Sequence, residues 1–275
     1  SIPEIADDYY QIDDAIRTGY AWSYGPFEIW DNLGIETGIE MIKSCGEEVP
    51  NWITDMSASG AESFYKFEDG KKKFYDVNSK KYINVPSSQN HYILDAFREN
   101  KQILRNPECT VHDIGDGVMC IEFQTKGNSI GEGIAKGINE AIDIAERDGW
   151  NGIVIGNNDK QFSVGANLMN MGMMAMQKNF DEIEKFLVGF QKILMRMRTC
   201  NVPVVSATHG FVMGGGLEVS IHCDAGIHAS ESYIGLVEAG VGLIPGGGGT
   251  KEMAMRASDS FNSGDVKTVS YTHLT

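Results

Sequence analysis

Two glutamates in apolar surroundings, each near a glycine-rich turn, are the residues of this chain best suited to chemistry. Glu218 follows the run Gly214–Gly216, and Glu238 precedes the run Gly246–Gly249. Burying a carboxylate is costly, and two carboxylates in one apolar pocket titrate as a coupled pair with at least one raised pKa. Such a pair suits one group to act as general base and the other as general acid near neutral pH. The stretch 201–250 therefore predicts an active site.

The glycine run Gly214–Gly216 is a candidate for binding developing negative charge. It follows an apolar, β-branched run, Val202–Ala207, and precedes a predicted helix. Backbone N–H groups at a helix N-terminus stabilise a bound carbonyl oxygen as it becomes negative, and glycine lets the ligand approach closely. The loop Phe162–Asn167 is a candidate source of a second donor. Glycine runs also occur where a helix packs tightly on a sheet, so the residues alone leave a purely structural role open.

The elements that must hold these residues alternate between strands and helices. Periodicity and turn residues predict strands at Val111–Asp113, Val118–Phe123, Gly152–Ile155 and Val202–Ala207, and helices at Gly131–Arg147 and Phe180–Thr199. Acidic residues in the first turn of the second helix and arginines in its last turn suit the helix dipole. This order of elements predicts an α/β fold with a layered sheet.

The N-terminal part of the chain has a different character. We predict a helix over Ile5–Tyr20 and, within a linker, a helical segment at Tyr92–Leu104. Between them we predict a hairpin whose strands are Phe64–Phe67 and Phe74–Val77 and whose turn is Glu68–Gly70. The lysines Lys71–Lys73 are predicted to form a solvated turn. The boundary is placed near Pro107, which predicts domains over residues 1–108 and 109–275.

Composition narrows the function. The formal net charge of −15 argues against nucleic-acid binding. The five cysteines are scattered without a CxxC pair, which is typical of a reducing cytoplasm, and the histidines lack metal-site spacing. We also expect no membrane span, because no run is long and apolar enough, and no signal peptide at the start SIPEIADDYY.

Three motifs resemble the crotonase (enoyl-CoA hydratase/isomerase) superfamily in order and spacing. They are FSVGANL, ATHGFVMGGGLEVS and YIGLVEAGVGLIPGGGGTKE, and the resemblance extends from about Cys109 to about Arg256. It implies a crotonase-like spiral of ββα units that binds acyl-CoA, with the N–H groups of Ala166 and Gly215 polarising the thioester carbonyl. The two hydratase glutamates fall on Glu218 and Glu238.

The resemblance implies reversible syn addition of water to a 2-trans-enoyl-CoA. Glu218 would deprotonate the water that attacks C3, and Glu238 would protonate C2, with no metal or redox cofactor. The residues expected to bind substrate are Phe162, Val164, Gly165, Leu168, Gly214 and Gly246. The family most often has Gly-Ala-Asp where this chain has Asn167 in the last position, which puts any tuning by that side chain in doubt. Double-bond isomerisation and a non-catalytic acyl-CoA-binding or assembly module remain alternatives, and a homo-oligomer stays open.

The segment from Asp13 to Gly34 resembles the C-terminal helical domain of 3-hydroxyacyl-CoA dehydrogenases. The later stretch FYKFEDGKKKFYD resembles the piece after that domain in multifunctional fatty-acid oxidation proteins. That family binds NAD on a preceding domain with a GxGxxG turn, which this chain lacks. We therefore expect a mostly helical remnant of the dehydrogenase in front of the crotonase-like domain. We also expect a fragment cut at both ends, its tail DSFNSGDVKTVSYTHLT partly non-native and its activity in doubt.

Two features near these motifs stay open. The methionines 169, 171, 173, 174 and 176 could form a pliable wall for acyl chains or simply pack on the core. His209 could contact substrate, but a structural role at a strand end is the preferred interpretation.

Overall fold

A computed structural model of the chain describes residues 2, 4–68, 70–86, 92–97 and 101–259. The chain divides into two compact units, the first over residues 1–97 and the second from residue 98 onward. No helix in the described ranges is both long and apolar enough to cross a membrane.

The first unit consists of four helices followed by a small antiparallel sheet. The helices are α1 (Tyr9–Tyr20), α2 (Pro26–Leu33), α3 (Ile35–Ser44) and α4 (Asn51–Ala58), and the strands are β1 (Tyr65–Glu68), β2 (Lys71–Asp76) and β3 (Lys81–Asn84). The strands pair in chain order, and a 3-10 turn follows at Leu94–Phe97.

An aromatic cluster around Tyr9 forms the core of this unit. The Tyr9 ring contacts those of Phe27, Trp52 and Phe64, and its hydroxyl donates to the Phe64 carbonyl at 2.5 Å. Beside it, the buried Asp13 carboxylate accepts the Phe27 N–H at 2.9 Å at the start of α2. This cap satisfies donors that a helix N-terminus leaves unpaired, so the buried carboxylate has a structural role.

Most N-terminal predictions hold, with three corrections. The first helix and the hairpin are confirmed, although Asp69 of its turn lies outside the described residues. The lysine run 71–73 is in strand β2 rather than in a solvated turn, and Lys72 is buried beside Glu28 and the Tyr65 ring. Strand β3 was not predicted. The helix predicted at Tyr92–Leu104 is wrong, because its described end pairs with the next strand as Gln102–Arg105.

The second unit contains the predicted strands and helices and several more. Its strands are β4 (Gln102–Arg105), β5 (Cys109–Asp113), β6 (Val118–Phe123), β7 (Gly152–Ile155), β8 (Val204–Thr208), β9 (Phe211–Met213), β10 (Ala225–His228) and β11 (Tyr233–Gly235). Its helices are α5 (Glu132–Asp148), α6 (Leu168–Met176), α7 (Phe180–Thr199), α8 (Gly215–Ile221) and α9 (Gly249–Asp259).

Six of these strands form one mixed sheet. Its order is β10-β8-β7-β6-β5-β4, parallel from β10 to β6 and antiparallel beyond. Strands β9 and β11 form a separate parallel pair. Helices in the crossovers cover a sheet of this kind, which explains the short apolar strands such as GIVI.

The helix α5 shows how the sequence pattern produces this packing. Its residues Ile134, Ile138 and Ile142 recur every fourth position and are buried against the sheet. The helix ends at Gly149, whose φ of +74° gives the left-handed cap that glycine adopts without strain. Burial of each isoleucine contributes about 1.5–3 kcal/mol, so this face fixes the helix on the sheet.

The end of the described chain differs from the prediction in one respect. The sequence predicts only a closing glycine turn here, whereas Gly249 begins helix α9, which continues to Asp259. The tail that we interpret as partly non-native begins at Asp259, and its residues from 260 onward lie outside the described residues.

Candidate active site

Glu218 lies in the first turn of α8 and is almost completely buried. Its Oε1 accepts the Gly249 N–H at 2.9 Å. Burial raises the pKa of this carboxyl above its usual value, and the nearby charge of Glu238 adds to the rise. A buried carboxylate with a raised pKa can take a proton from water near neutral pH.

Glu238 begins a 3-10 turn, Glu238–Val241, on a separate segment of the chain. Its Oε2 is buried and accepts no hydrogen bond within the described ranges. Burial raises the pKa of this carboxyl too. A carboxyl with one oxygen buried without a donor favours the protonated form, which is the form that a general acid requires.

The two expected oxyanion donors lie next to each other. A Cβ built on Gly215 would lie 3.4 Å from the Ala166 nitrogen, so the two amides belong to one small space. Within the described part of the chain neither N–H has an acceptor. Ala166 is fixed by its neighbours, because the Gly165 carbonyl accepts the Ile130 N–H at 2.8 Å and the Asn167 N–H donates to the Ile130 carbonyl at 3.2 Å. Two unpaired amides in one place suit a developing oxyanion.

Glycine is required at the turn before α8 for two reasons. Gly214 has φ +49° and ψ −119°, a conformation that side-chain-bearing residues rarely adopt. A Cβ there would lie 2.9 Å from Oε1 of Glu238. The glycine run therefore orients the Gly215 N–H and brings Glu238 close to it, which the sequence predicted only in part.

An apolar cavity of about 100 Å³ connects these groups. Both glutamates, both oxyanion residues and five of the six residues predicted to bind substrate line it, namely Val164, Gly165, Leu168, Gly214 and Gly246. Apolar walls around a few polar groups are typical of small-molecule sites.

Phe162 is the one correction among these residues. Its side chain is fully buried and packs against Phe123, with ring centroids 6.1 Å apart. A ring held in the core cannot contact a ligand in the cavity. Its prediction as a substrate-binding residue is wrong, because Phe162 packs into the core whereas Val164 lines the cavity.

Sequence reasoning missed the wall that helix α7 contributes. Phe186, Leu187 and Phe190, which belong to the apolar stripe of this helix, line the cavity. Only the second half of that stripe, from Phe190, is buried in the core. Periodicity identifies the apolar face of a helix and not what covers it.

The methionines of α6 do not pack on the core. No residue of this helix is buried, so that interpretation is wrong, and Met171 is the methionine that lines the cavity. His209 has a structural partner, since its Nε2 lies 2.6 Å from the Asp159 carbonyl. Asn167 caps α6, with its Oδ1 accepting the Asn170 N–H at 3.3 Å. No three His, Cys, Asp or Glu side chains in the described ranges lie close enough together to hold a metal ion.

Comparison with known proteins assigns the family. The model of the enoyl-CoA hydratase/isomerase family matches residues 113–263, more than half of the chain. The chain belongs to this family. The expected fold is thereby confirmed, and the matched segment contains both glutamates and both oxyanion residues.

Two curated relatives show similarity over different parts of this family member. A Bacillus subtilis protein named "Probable 3-hydroxyacyl-CoA dehydrogenase" is 40% identical over 251 residues, covering 91% of this chain and 31% of that protein. A short-chain-enoyl-CoA hydratase of Clostridium acetobutylicum is 35% identical over 102 residues, covering 37% of this chain and 38% of the hydratase. The chain thus spans about a third of the first relative's length. The expected relation to dehydrogenases is confirmed, because that similarity includes the first unit.

Solved structures agree on the enoyl-CoA hydratase/isomerase fold. The crystal structure of an enoyl-CoA hydratase from Polaromonas sp. JS666 superposes with a TM-score of 0.52 at 23% identity, covering 54% of this chain and 58% of that one. At this identity the likeness concerns the fold alone.

Proposed function

We propose that the second unit catalyses the reversible hydration of 2-trans-enoyl-CoA thioesters. The observation that carries this proposal is the convergence of Glu218, Glu238 and two unpaired amides on one apolar cavity. An isomerase needs only one group to move a proton between two carbons. Two carboxyls with raised pKa values supply both the base and the acid that the addition of water requires.

In the proposed mechanism the thioester carbonyl accepts the N–H groups of Ala166 and Gly215. Their dipoles are oriented before the reaction, so they stabilise the enolate oxygen without reorganisation. The Glu218 carboxylate takes a proton from water, whose oxygen forms the bond to C3. The electron pair of the double bond moves into the enolate, and Glu238 then donates its proton to C2. The product is the 3-hydroxyacyl thioester.

Helix α7 and the loop after Glu238 would hold the acyl part of the substrate. Phe186 and Leu187 of α7 line the cavity, and so do Val241 and Leu243 of the loop. These side chains offer no hydrogen bonds and exclude water from the acyl chain. An apolar wall strengthens the electrostatic interactions of the two carboxyls.

The first unit fits a role in a larger fatty-acid oxidation protein. We propose that it is part of the C-terminal domain of a 3-hydroxyacyl-CoA dehydrogenase, whose oxidation of the hydrated product would follow the hydratase step. NAD would serve that dehydrogenase. The described residues of this unit contain no strand leading through a glycine-rich turn into a helix, so they do not fit NAD.

The proposed location is the cytoplasm. All five cysteines are free, and three of them are buried. Burial raises the pKa of the Cys109 thiol to about 11 and of the Cys120 thiol to about 12. Such thiols stay protonated and unreactive, as expected for structural cysteines in a reducing compartment.

Mass spectrometry of the product tests the reaction. The purified chain is incubated with crotonyl-CoA and, separately, with a 3-enoyl-CoA. Hydration predicts that crotonyl-CoA gains the mass of one water, and in ¹⁸O-labelled water the label enters at C3. Conversion of the 3-enoyl thioester to the 2-enoyl thioester without hydration of crotonyl-CoA would support an isomerase instead. Saturable binding of both thioesters without conversion would indicate a non-catalytic acyl-CoA-binding module.

A further inference from the structure

A third buried carboxylate lies behind the site and has no part in the proposed chemistry. Glu252, in the first turn of α9, has no exposed surface. Burying a charge without partners is strongly unfavourable, so such a group indicates either function or a structural pair. Its position next to the residues that hold Glu218 favours a role in the site.

Three cationic or titratable groups from three helices face Glu252. Arg198, in the last turn of α7, pairs with Oε2. The other oxygen, Oε1, faces Lys251 Nζ at 3.2 Å and His222 Nε2 at 3.6 Å, without the alignment of a hydrogen bond in either case. Of the partners in the described ranges, only Arg198 therefore satisfies an oxygen of Glu252 by a directed bond.

The residues around Glu252 also contact Glu218, at two points. The ring of His222 is buried, and its Nδ1 donates to the Glu218 carbonyl at 2.7 Å. Gly249 is the first residue of α9, and its N–H donates to Oε1 of Glu218 at 2.9 Å. A Cβ on Gly249 would lie 3.0 Å from Cγ of Glu218, so the first turn of α9 is packed directly on the carboxylate.

Loss of Arg198 would weaken the packing of the first turn of α9 on Glu218. Without Arg198, Oε2 of the buried Glu252 loses its ion pair, and among the described residues only the Lys251 ammonium remains as a close cation, 3.2 Å from Oε1. A shift of α9 that brings the carboxylate to water would relieve this loss. Gly249 moves with the helix. We infer that the ion pair between Arg198 and Glu252 positions Glu218 by holding the first turn of α9 against its carboxylate.

The expected effect of the ion pair on the hydration rate rests on the proposed function. The contact between Gly249 and Glu218 does not depend on that function. The N–H of Gly249 stabilises the ionised form of Glu218 and so lowers its pKa. When that bond lengthens, the pKa of Glu218 rises further. Glu218 acts in its ionised form, so the acidic limb of the rate profile moves to higher pH.

Arg198→Gln is the test, and Arg196→Gln is its matched control. Arg196 is in the same helix turn and pairs with Asp143 of α5, away from α9. We expect Arg198→Gln to lower kcat for crotonyl-CoA about tenfold with little change in KM, because small displacements of a catalytic group are costly in rate. Its acidic limb moves up by about one pH unit. Arg198→Lys restores most of kcat and most of the position of the acidic limb. Arg196→Gln leaves kcat and the acidic limb unchanged.

A second readout does not depend on turnover. The amide signal of Gly249 in ¹H–¹⁵N spectra should titrate with Glu218, and Arg198→Gln should shift its midpoint upward. If the wild-type chain hydrates no enoyl-CoA, the proposed function fails while this titration still decides the inference. An unchanged midpoint, or equal shifts in both arginine variants, overturns it.

If Arg198→Gln does not fold, Glu252→Gln serves as a second variant, because it removes the buried charge itself. Glu252→Gln keeps the shape of the side chain and removes the ion pair. We expect it to shift the Gly249 midpoint and the acidic limb in the same direction by a smaller amount. A folded Glu252→Gln chain with the wild-type midpoint overturns the inference.

Discussion

Glu218 and Glu238 differ in how their carboxylates are satisfied. Glu218 accepts the Gly249 N–H, whereas Oε2 of Glu238 is buried without a donor in the described ranges. Hydrogen bonds favour the ionised form and dry burial the protonated form. At the residue scale this difference supports the proposed roles of Glu218 as the base and Glu238 as the acid.

The pH dependence of kcat/KM follows from these assignments. Glu218 must be ionised, so activity falls as pH decreases through its raised pKa. Glu238 must be protonated, so activity falls as pH increases through its own raised pKa. We expect a bell-shaped profile whose two limbs belong to the coupled pair.

Glu238→Gln should change this profile in a specific way. The basic limb disappears, because no carboxyl remains at position 238 to lose its proton. The acidic limb stays near its wild-type position, because Glu238 is protonated and uncharged in the pH range where Glu218 takes up its proton. The rate itself falls by about 10²–10⁴. Steady-state assays between pH 5 and pH 10 check this; a basic limb that persists would show that Glu238 is not the acid.

At the scale of elements, the site is built where β9 leads through Gly214 into α8. The turn orients the Gly215 N–H and approaches Glu238, and the loop before α6 supplies Ala166. Neither segment forms the oxyanion site alone, so the geometry depends on how the loop and the turn meet.

Gly214→Ala should therefore impair catalysis more than folding. The added Cβ meets Oε1 of Glu238, and the backbone must leave its left-handed conformation. Displacing one oxyanion donor lowers kcat by about 10²–10³. Gly172→Ala is the matched control, because its Cβ would meet nothing within 4 Å. Equal hydration rates for the two variants would contradict the role of the turn.

The sequence predicts the local elements better than their surroundings. Strand β7 and helix α7 have the predicted limits, because their apolar patterns and bounding residues are local signals. The two glutamates and two amides are identified by motif resemblance, which carries long-range information. The inward turn of Phe162 and the cavity wall on α7 were not predictable, because they depend on what packs opposite. The same holds for Glu252, whose partners come from other helices.

At the scale of the whole molecule, two hydrophobic cores share no residue. The first is the aromatic cluster around Tyr9 and Phe64, and the second is formed by the sheet with α5 and α7. Each described unit thus has its own source of stability, as expected for domains.

Phe64→Ala tests this separation. Phe64 is fully buried among Tyr9, Phe27 and Trp52, so its truncation should cost about 3–5 kcal/mol within the first unit. Hydrogen exchange followed by mass spectrometry should show faster exchange in α1 and unchanged protection in α5. Loss of protection in both helices would mean that the two cores unfold as one.

The measurement that tests the central claim most directly is the rate of crotonyl-CoA hydration by the wild-type chain beside Glu218→Gln. The reaction removes the conjugated thioester, whose absorbance decreases with time. The account predicts steady loss of absorbance with wild type and a rate lower by about 10²–10⁴ with Glu218→Gln, at equal folded content by circular dichroism. No loss of absorbance with the folded wild-type chain, or equal rates for the two, would contradict it.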